Sequence, residues 1–327
     1  MVVGGNGQLG ALCGDELRRR GQQVRATVRD WARADRMKKA GADVVLLDVT
    51  DPAQRRRAIE GVDALILSAN AVTPRAGDNP AAFDAGMSAL VDEAMSEGVR
   101  TFVLPSVPAS SRDQQVPPML AKRHLEDKLL GGPAASWVLR LPPFMESWLA
   151  LVGSTLPLRG EPNATIGRPS PFLRRFRSAT GSLVEDRGLM LVPGTPSNRH
   201  AFISVHDVAR ACVEAALRDA PAPKGPLEVG GPEILSWQDV ADLYGTVLGR
   251  RVRVLSTPAP VYGTAARLLA KVAPVPSRIM SMNLFMASTE SPYSHPGGDL
   301  VDSATMMTVE TFLRGKAAMA PELPPVP

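Results

Sequence analysis

A run of glycines stands at the start of the chain, Gly4-Gly5-Asn6-Gly7-Gln8-Leu9-Gly10, in the spacing G-x-x-G-x-x-G. Glycines so spaced let the backbone approach a pyrophosphate. A helix opening from the loop offers unpaired N–H groups and the positive end of its dipole. Gly4, Asn6, Gly7, Gln8, Leu9 and Gly10 are therefore the expected phosphate-holding residues. The run alone is weak evidence; its context strengthens it, because Met1–Val3 reads as the end of a buried strand and Leu9–Arg20 as a helix. Three apolar residues are short for a central strand, so the start of the chain reads as clipped.

The end of the second strand chooses the cofactor. An acidic residue there serves the ribose hydroxyls of NAD, whereas an arginine accommodates the 2′-phosphate of NADP. Thr27-Val28-Arg29-Asp30 places Arg29 at that point, 19 residues after Gly10, with Arg33 one helical turn further on. A planar guanidinium suits a phosphate, so NADPH is expected over NADH. Asp30 keeps the NAD reading open. Asp48-Val49 ends the third strand, where Asp48 either accepts from the adenine amino group or caps the next helix. Ser68-Ala69-Asn70 ends the fourth strand, at the carboxyl edge where open α/β sheets bind ligands.

Other chemistries find less support. The four histidines, His124, His200, His206 and His295, include no pair at metal-ligand spacing, so no metal is expected. His124 points away from Lys122 around a helix. No G-x-S-x-G elbow is present. Cys13 and Cys212 lie far apart in sequence and read as buried, reduced thiols, which fits a cytoplasmic protein. No apolar run is long enough for a membrane span, and no signal peptide is visible. The net charge of +4 comes partly from Arg18–Arg20, Arg55–Arg57 and the cluster Arg174, Arg175 and Arg177. With 5% aromatic residues and no reading motif, solvated helix faces explain these better than nucleic acid does.

The elements that must position these residues alternate through the first half. Strands are expected at Val24–Val28, Val44–Leu47, Ala64–Leu67, Thr101–Leu104 and Trp137–Leu139. Helices are expected at Arg33–Ala40, Pro52–Glu60, Pro80–Glu97 and Ala121–Leu130. Such alternation means βαβ units and a parallel sheet. The fold class is therefore α/β, a Rossmann doubly wound parallel sheet with a smaller C-terminal α/β substrate lobe. The sheet domain is expected over 1–150, with 201–216 returning to it, the lobe over 151–318 and a frayed tail over 319–327. In the second half a strand is expected at Ala201–Ser204, helices at Val205–Ala216, Ser236–Leu248, Pro258–Val272 and Thr308–Leu313, and capping boxes at Ser236–Asp239 and Ser204–Asp207.

The chain resembles the atypical short-chain dehydrogenase/reductases of the NmrA-like and isoflavone-reductase-like group. The segments that carry the likeness are Val2–Gly10, Val24–Arg29, Gly61–Leu67, Phe102–Ser106, Ala121–Arg123, Leu139–Trp148 and Phe202–Ala209. The resemblance implies NADP binding. It also implies that a Pro-Ser pair after the fifth strand and a lysine on the next helix border the nicotinamide. Pro105, Ser106 and Lys122 match those positions, and Pro142 and Phe144 match the segment that lines the nicotinamide pocket. The wider superfamily uses Tyr-x-x-x-Lys, but the residue four before Lys122 is Pro118. The three tyrosines, Tyr244, Tyr262 and Tyr293, lie elsewhere. In the isoflavone-reductase-like branch a lysine alone serves as acid/base. Lys122 thus reads as acid/base, as ribose contact or as a surface residue.

Phe144, Met145, Trp148 and His200 are the expected substrate-lining residues, with Met190, Phe172 and Phe176 weaker candidates. Their apolar character suits an aromatic or otherwise apolar small molecule. The expectation is an NADPH-dependent reductase of a carbonyl or conjugated double bond, monomeric or homodimeric, with Lys122 and Ser106 polarising or protonating the substrate. The alternatives are a non-enzymatic NADP-binding regulator or redox sensor, and a non-redox lyase or isomerase on the same scaffold.

Overall fold

The computed structural model describes residues 1–70, 78–164, 175, 178 and 180–320. Phe172, Phe176, Arg174 and Arg177 lie outside the described residues, as does most of the expected frayed tail. The chain divides into two compact units. The first comprises Met1–Val107, Ala121–Arg140 and Val208–Leu227, and the second Pro108–Leu120, Leu141–Asp207 and Glu228–Pro327.

The first unit is built on strands β1 (Val2–Val3), β2 (Arg25–Val28), β3 (Asp43–Leu46), β4 (Ala64–Leu67), β5 (Thr101–Ser106) and β6 (Ala135–Arg140). A short β9 (Leu227–Glu228) completes the sheet order β3-β2-β1-β4-β5-β6-β9. The pairings from β3 through β6 are all parallel, in registers such as Val2 with Ala26 and with Ile66, and Val103 with Trp137. Strand order reverses between β1 and β4, the crevice where doubly wound sheets bind ligands. Unbroken apolar runs such as Leu65-Ile66-Leu67 and Phe102-Val103-Leu104 are fully buried, as a sheet covered on both faces requires.

The connecting helices are α1 (Gln8–Arg19), α2 (Asp35–Lys39), α3 (Pro52–Ile59), α4 (Pro80–Ser96), α5 (Pro117–Leu130) and, beyond a gap in the described chain, α8 (Val205–Leu217). Their starts follow local chemistry. Asp51 accepts from the Ala53 and Gln54 N–H groups with Pro52 at the first position, and Asn79 does the same for α4 ahead of Pro80. Arg55 departs from the solvated-face reading. It is buried, donates to the Val49 carbonyl at 2.8 Å and pairs with Glu93 at 2.7 Å, so it ties α3 to α4.

The second unit holds α6 (Met145–Leu151), α7 (Leu183–Arg187), β7 (Leu189–Pro193), β8 (Arg199–His200), β10 (Leu235–Ser236), α9 (Trp237–Leu248), β11 (Arg253–Thr257), α10 (Ala259–Leu269), α11 (Pro274–Ser288) and α12 (Val309–Ala318). β10 pairs antiparallel with β8, and β11 parallel with β7. The strand expected at Ala201–Ser204 is not formed. Pairing stops at His200, and Ile203 makes an isolated bridge to Phe144. The capping box at Ser236 and Asp239 is present in full. The helix expected over Pro258–Val272 ends at Leu269, and α11 follows. Pro274 and Pro276 sit in the first turn of α11, where a missing N–H costs nothing.

Candidate dinucleotide site and its lysine

The glycine loop folds as a cradle. Gly4 takes φ +83°, which a side chain rarely tolerates, and its N–H donates to Thr27 Oγ1 at 3.0 Å. A Cβ on Gly10 would stand 2.3 Å from the Gly4 carbonyl oxygen and 2.7 Å from Ser68 Oγ. Glycine at position 10 therefore lets α1 start flush against the loop. Gly7 is the N-cap of α1 and has no side chain to cap it, and no acidic residue occupies the first turn. The positive end of this helix is thus left to an external anion. These features fit a dinucleotide pyrophosphate at Gly4, Asn6, Gly7, Gln8, Leu9 and Gly10. Gln8 and Leu9 are themselves buried in the first turn of α1.

The other expected contacts ring the same carboxyl edge. Ser68 Oγ donates to the Val3 carbonyl at 2.7 Å, which locks β4 to β1 beside the loop. Ala69 packs against Gly4, and Asn70 is exposed. Asp48 is not the cap of α3, a role that belongs to Asp51. Instead Asp48 accepts from Thr50 N–H at 2.9 Å and Thr50 Oγ1 at 2.7 Å, shaping the turn around buried Val49. At the end of β2, Arg29 is paired with Asp78 at 3.0 Å, and Arg33 is exposed. Asp30 accepts from Ala32 N–H at 3.0 Å and so caps the turn Trp31–Arg33. The sequence reading missed Trp31 here. It is 49% exposed, with the Lys38 ammonium 4.5 Å from its ring centroid. An exposed tryptophan beside Arg29 is a usable signal for a ligand's flat base.

At the ends of β5 and β6 the charges are organised around Glu126, which the sequence gave no reason to single out. This carboxylate is 2% exposed. Ser106 Oγ donates to it, as do Arg123 Nη1 and, at 2.7 Å, Arg140 Nη2. Burial works to raise its pKa, but the hydrogen bonds from Arg140 and Ser106 and the Arg123 guanidinium outweigh it and hold the carboxyl below its usual range. Arg123 also donates to the Val107 carbonyl at 2.7 Å. The buried Ser106 hydroxyl therefore spends its proton on Glu126 and faces any ligand as an acceptor.

Lys122, one turn before Glu126 on α5, donates to the Pro105 carbonyl at 2.7 Å. Desolvation of its amine lowers its pKa to about 8, with Glu126 opposing that shift and Arg123 assisting it. Lys122 is thus no ordinary surface lysine. It is an ammonium held at the end of β5 that can release a proton near neutral pH. Tyr244 offers no substitute for the missing tyrosine, because its hydroxyl is buried and donates to the Leu149 carbonyl at 2.7 Å.

In the second unit the expected lining residues separate. Phe144 and Trp148 are half-buried, and Pro142 is buried. Met145, Met190 and His200 are buried. His200 packs edge-on against the rings of Phe202 and Trp237, with Ser291 Oγ 2.9 Å from its Nδ1, and burial lowers its pKa to about 4. A cluster that the sequence did not suggest joins the buried Glu146 and Glu161 to the exposed His206, with their ligand-type atoms within 4.8 Å of one another. The Lys316 ammonium, 2.8 Å from Glu161, already supplies that cluster's cation.

Residues 4–139 match the model of a family described as NAD(P)H-binding. Two curated relatives are each 28% identical. One is an uncharacterized oxidoreductase, YesF, of Bacillus subtilis, over 99 residues, 30% of this chain and 34% of the relative. The other is the photosystem II assembly factor Ycf39 of Trieres chinensis, over 150 residues, 45% of this chain and 46% of the relative. The matches thus span less than half the length of either relative. Among solved structures, the triphenylmethane reductase of Citrobacter sp. complexed with NADP(H) is similar at TM-score 0.70 and 15% identity, over 96% of this chain and 99% of that one. This likeness shows a shared fold.

Proposed function

We propose that this chain, whose residues 4–139 are an NAD(P)H-binding domain of the atypical short-chain dehydrogenase/reductase kind, is an NADPH-dependent reductase acting on a carbonyl or conjugated double bond of an apolar small molecule. One observation carries this reading. Lys122 presents a desolvated ammonium with a pKa of about 8 beside Pro105, at the carboxyl edge that also bears the glycine cradle.

The bound cofactor supplies the hydride. The chain's own residues do the rest. Gly4–Gly10 hold the pyrophosphate and Arg29 the 2′-phosphate. Pro105 fixes the Lys122 ammonium through its carbonyl. Lys122 donates a hydrogen bond or a proton to the oxygen that gains charge as the substrate is reduced. Glu126 accepts the Ser106 proton and fixes that hydroxyl as an acceptor. The Citrobacter enzyme, named for its triphenylmethane substrates, makes an extended conjugated molecule a reasonable class to try first.

The test measures NADPH consumption at its absorbance band with a panel of quinones, enones, aldehydes and cationic dyes, alongside calorimetric NADPH binding. Turnover that falls at least a hundredfold in Lys122→Ala, with cofactor binding kept, supports the reading. Tight NADPH binding without turnover of any panel member overturns it in favour of an NADP-binding regulator.

A further inference from the structure

We infer that Asp78 is a specificity-determining residue of the dinucleotide site. It is a built-in anion that competes with the cofactor's 2′-phosphate for Arg29. The inference rests on the proposed NADPH reading and deepens it.

Arg29 is the first residue after β2, and its Nη1 donates to Asp78 Oδ2 at 3.0 Å. The partners are 49 residues apart in sequence, so the fold creates the pair. Asp78 stands on a fixed support. It immediately precedes Asn79, whose side chain accepts from the Ala81 and Ala82 N–H groups and anchors the start of the 17-residue helix α4. The carboxylate therefore stands one residue before the N-cap of α4.

The consequence follows from charge. A 2′-phosphate carries about two negative charges at neutral pH and seeks the same guanidinium to which Asp78 is bonded through Nη1. NADPH must displace or share Asp78, and it must also tolerate a like charge beside its phosphate. NADH has no such group and leaves the Arg29–Asp78 pair intact. Asp78 therefore weakens NADPH selectively and narrows the preference that Arg29 creates. The side chains are 37% and 28% exposed, which keeps the effect modest.

The experiment measures the dissociation constants of NADPH and NADH by calorimetry, in 50 mM and 300 mM salt, for wild type, Asp78→Asn, Asp78→Ala, Arg29→Ala and the Arg29→Ala/Asp78→Asn pair. Both Asp78 variants are expected to bind NADPH about three- to tenfold more tightly, with NADH changed by less than about twofold. The gain is expected to shrink at high salt and in the Arg29→Ala background. Asp78 variants with an unchanged or lowered NADPH:NADH ratio, in a protein whose wild type prefers NADPH through Arg29, overturn this inference and leave the NADPH reading standing. Equal wild-type affinity for the two cofactors, unaltered by Arg29→Ala, overturns the NADPH reading itself. Equal melting temperatures of wild type and Asp78→Asn exclude a folding effect as the source of any change.

Discussion

Ser106 donates its hydroxyl proton to Glu126, a carboxylate 20 residues along the chain that is buried between Arg123 and Arg140. A single acid thus orders the ends of β5 and β6, and two guanidinium groups depend on it for compensation. Glu126→Gln keeps an acceptor for Ser106 but removes the carboxylate charge that Arg123 and Arg140 pair with. Breaking a buried pair from one side leaves a desolvated charge unmatched. The expected cost is about 2–4 kcal/mol of unfolding free energy in urea titration. Ser106→Ala, which removes one hydrogen bond, is expected to cost only about 1 kcal/mol. Equal costs for the two variants would contradict the hub role of Glu126.

Lys122 makes a prediction about pH. A lysine lowered to about 8 is protonated below that value and neutral above it. If its ammonium polarises or protonates the substrate, kcat falls about tenfold for each pH unit above 8. Lys122→Arg keeps a cation that does not titrate in this range, so that limb of the profile should disappear even if the overall rate drops. A wild-type profile that stays flat from pH 7 to 10 would remove Lys122 from the proton-transfer role.

Much of this site was legible in the residues, and what was not has a physical reason. The glycine run and Arg29 are read by local rules, because a loop, its strand and its helix are contiguous in sequence. Glu126 and Asp78 escaped notice because their importance comes from partners 20 and 49 residues away. Cys13 and Cys212, 199 positions apart, read as unrelated thiols. The fold brings α1 and α8 together so that the two fully buried thiols hydrogen-bond, and that contact, with burial, raises the Cys13 pKa well above its ordinary value. Met145 and His200 had the right character for a pocket, but apolar type does not distinguish lining from core, and the structure encloses both. The short β8 shows the same limit, since an apolar Ala201–Ile203 run satisfies a strand pattern although pairing has already ended.

Glu146 links stability to pH in the second unit. It is wholly buried and accepts from Ser204 Oγ at 2.8 Å and Val205 N–H at 2.9 Å, with Glu161, His206 and Lys316 grouped nearby. Desolvation raises its pKa to about 7, the hydrogen bonds from Val205 and Ser204 opposing. The folded state then binds more protons than the unfolded state between pH 4.5 and about 7, so this group's contribution is full below 4.5 and is lost as pH rises through 7. The hydrogen bond between His206 and Glu161 raises the pKa of His206 as well, and the contribution of His206 is lost in the same direction, as pH climbs through its folded value. Glu146→Gln imitates the protonated acid. Relative to wild type it should gain up to about 3 kcal/mol between pH 4.5 and pH 8 in urea titrations. A constant difference across that range would mean that Glu146 is ionised throughout.

Gly10 tests whether the loop is a cradle or only a turn. A methyl group there would stand 2.3 Å from the Gly4 carbonyl oxygen and 2.7 Å from Ser68 Oγ, so the loop or the start of α1 must shift. The first contact is with backbone, which has no rotamer in which to retreat. Ser68 can rotate away only by giving up its bond to the Val3 carbonyl. Gly10→Ala is therefore expected to cost about 1–3 kcal/mol of stability and to weaken NADPH by at least about tenfold. Gly21→Ala is the control for backbone strain without a ligand. Unlike Gly10 it has positive φ, at +72°, and a methyl group there meets nothing within 4 Å. It should lose stability through its backbone conformation and keep its NADPH affinity. If both variants bind NADPH as wild type does, the pyrophosphate does not sit on this loop.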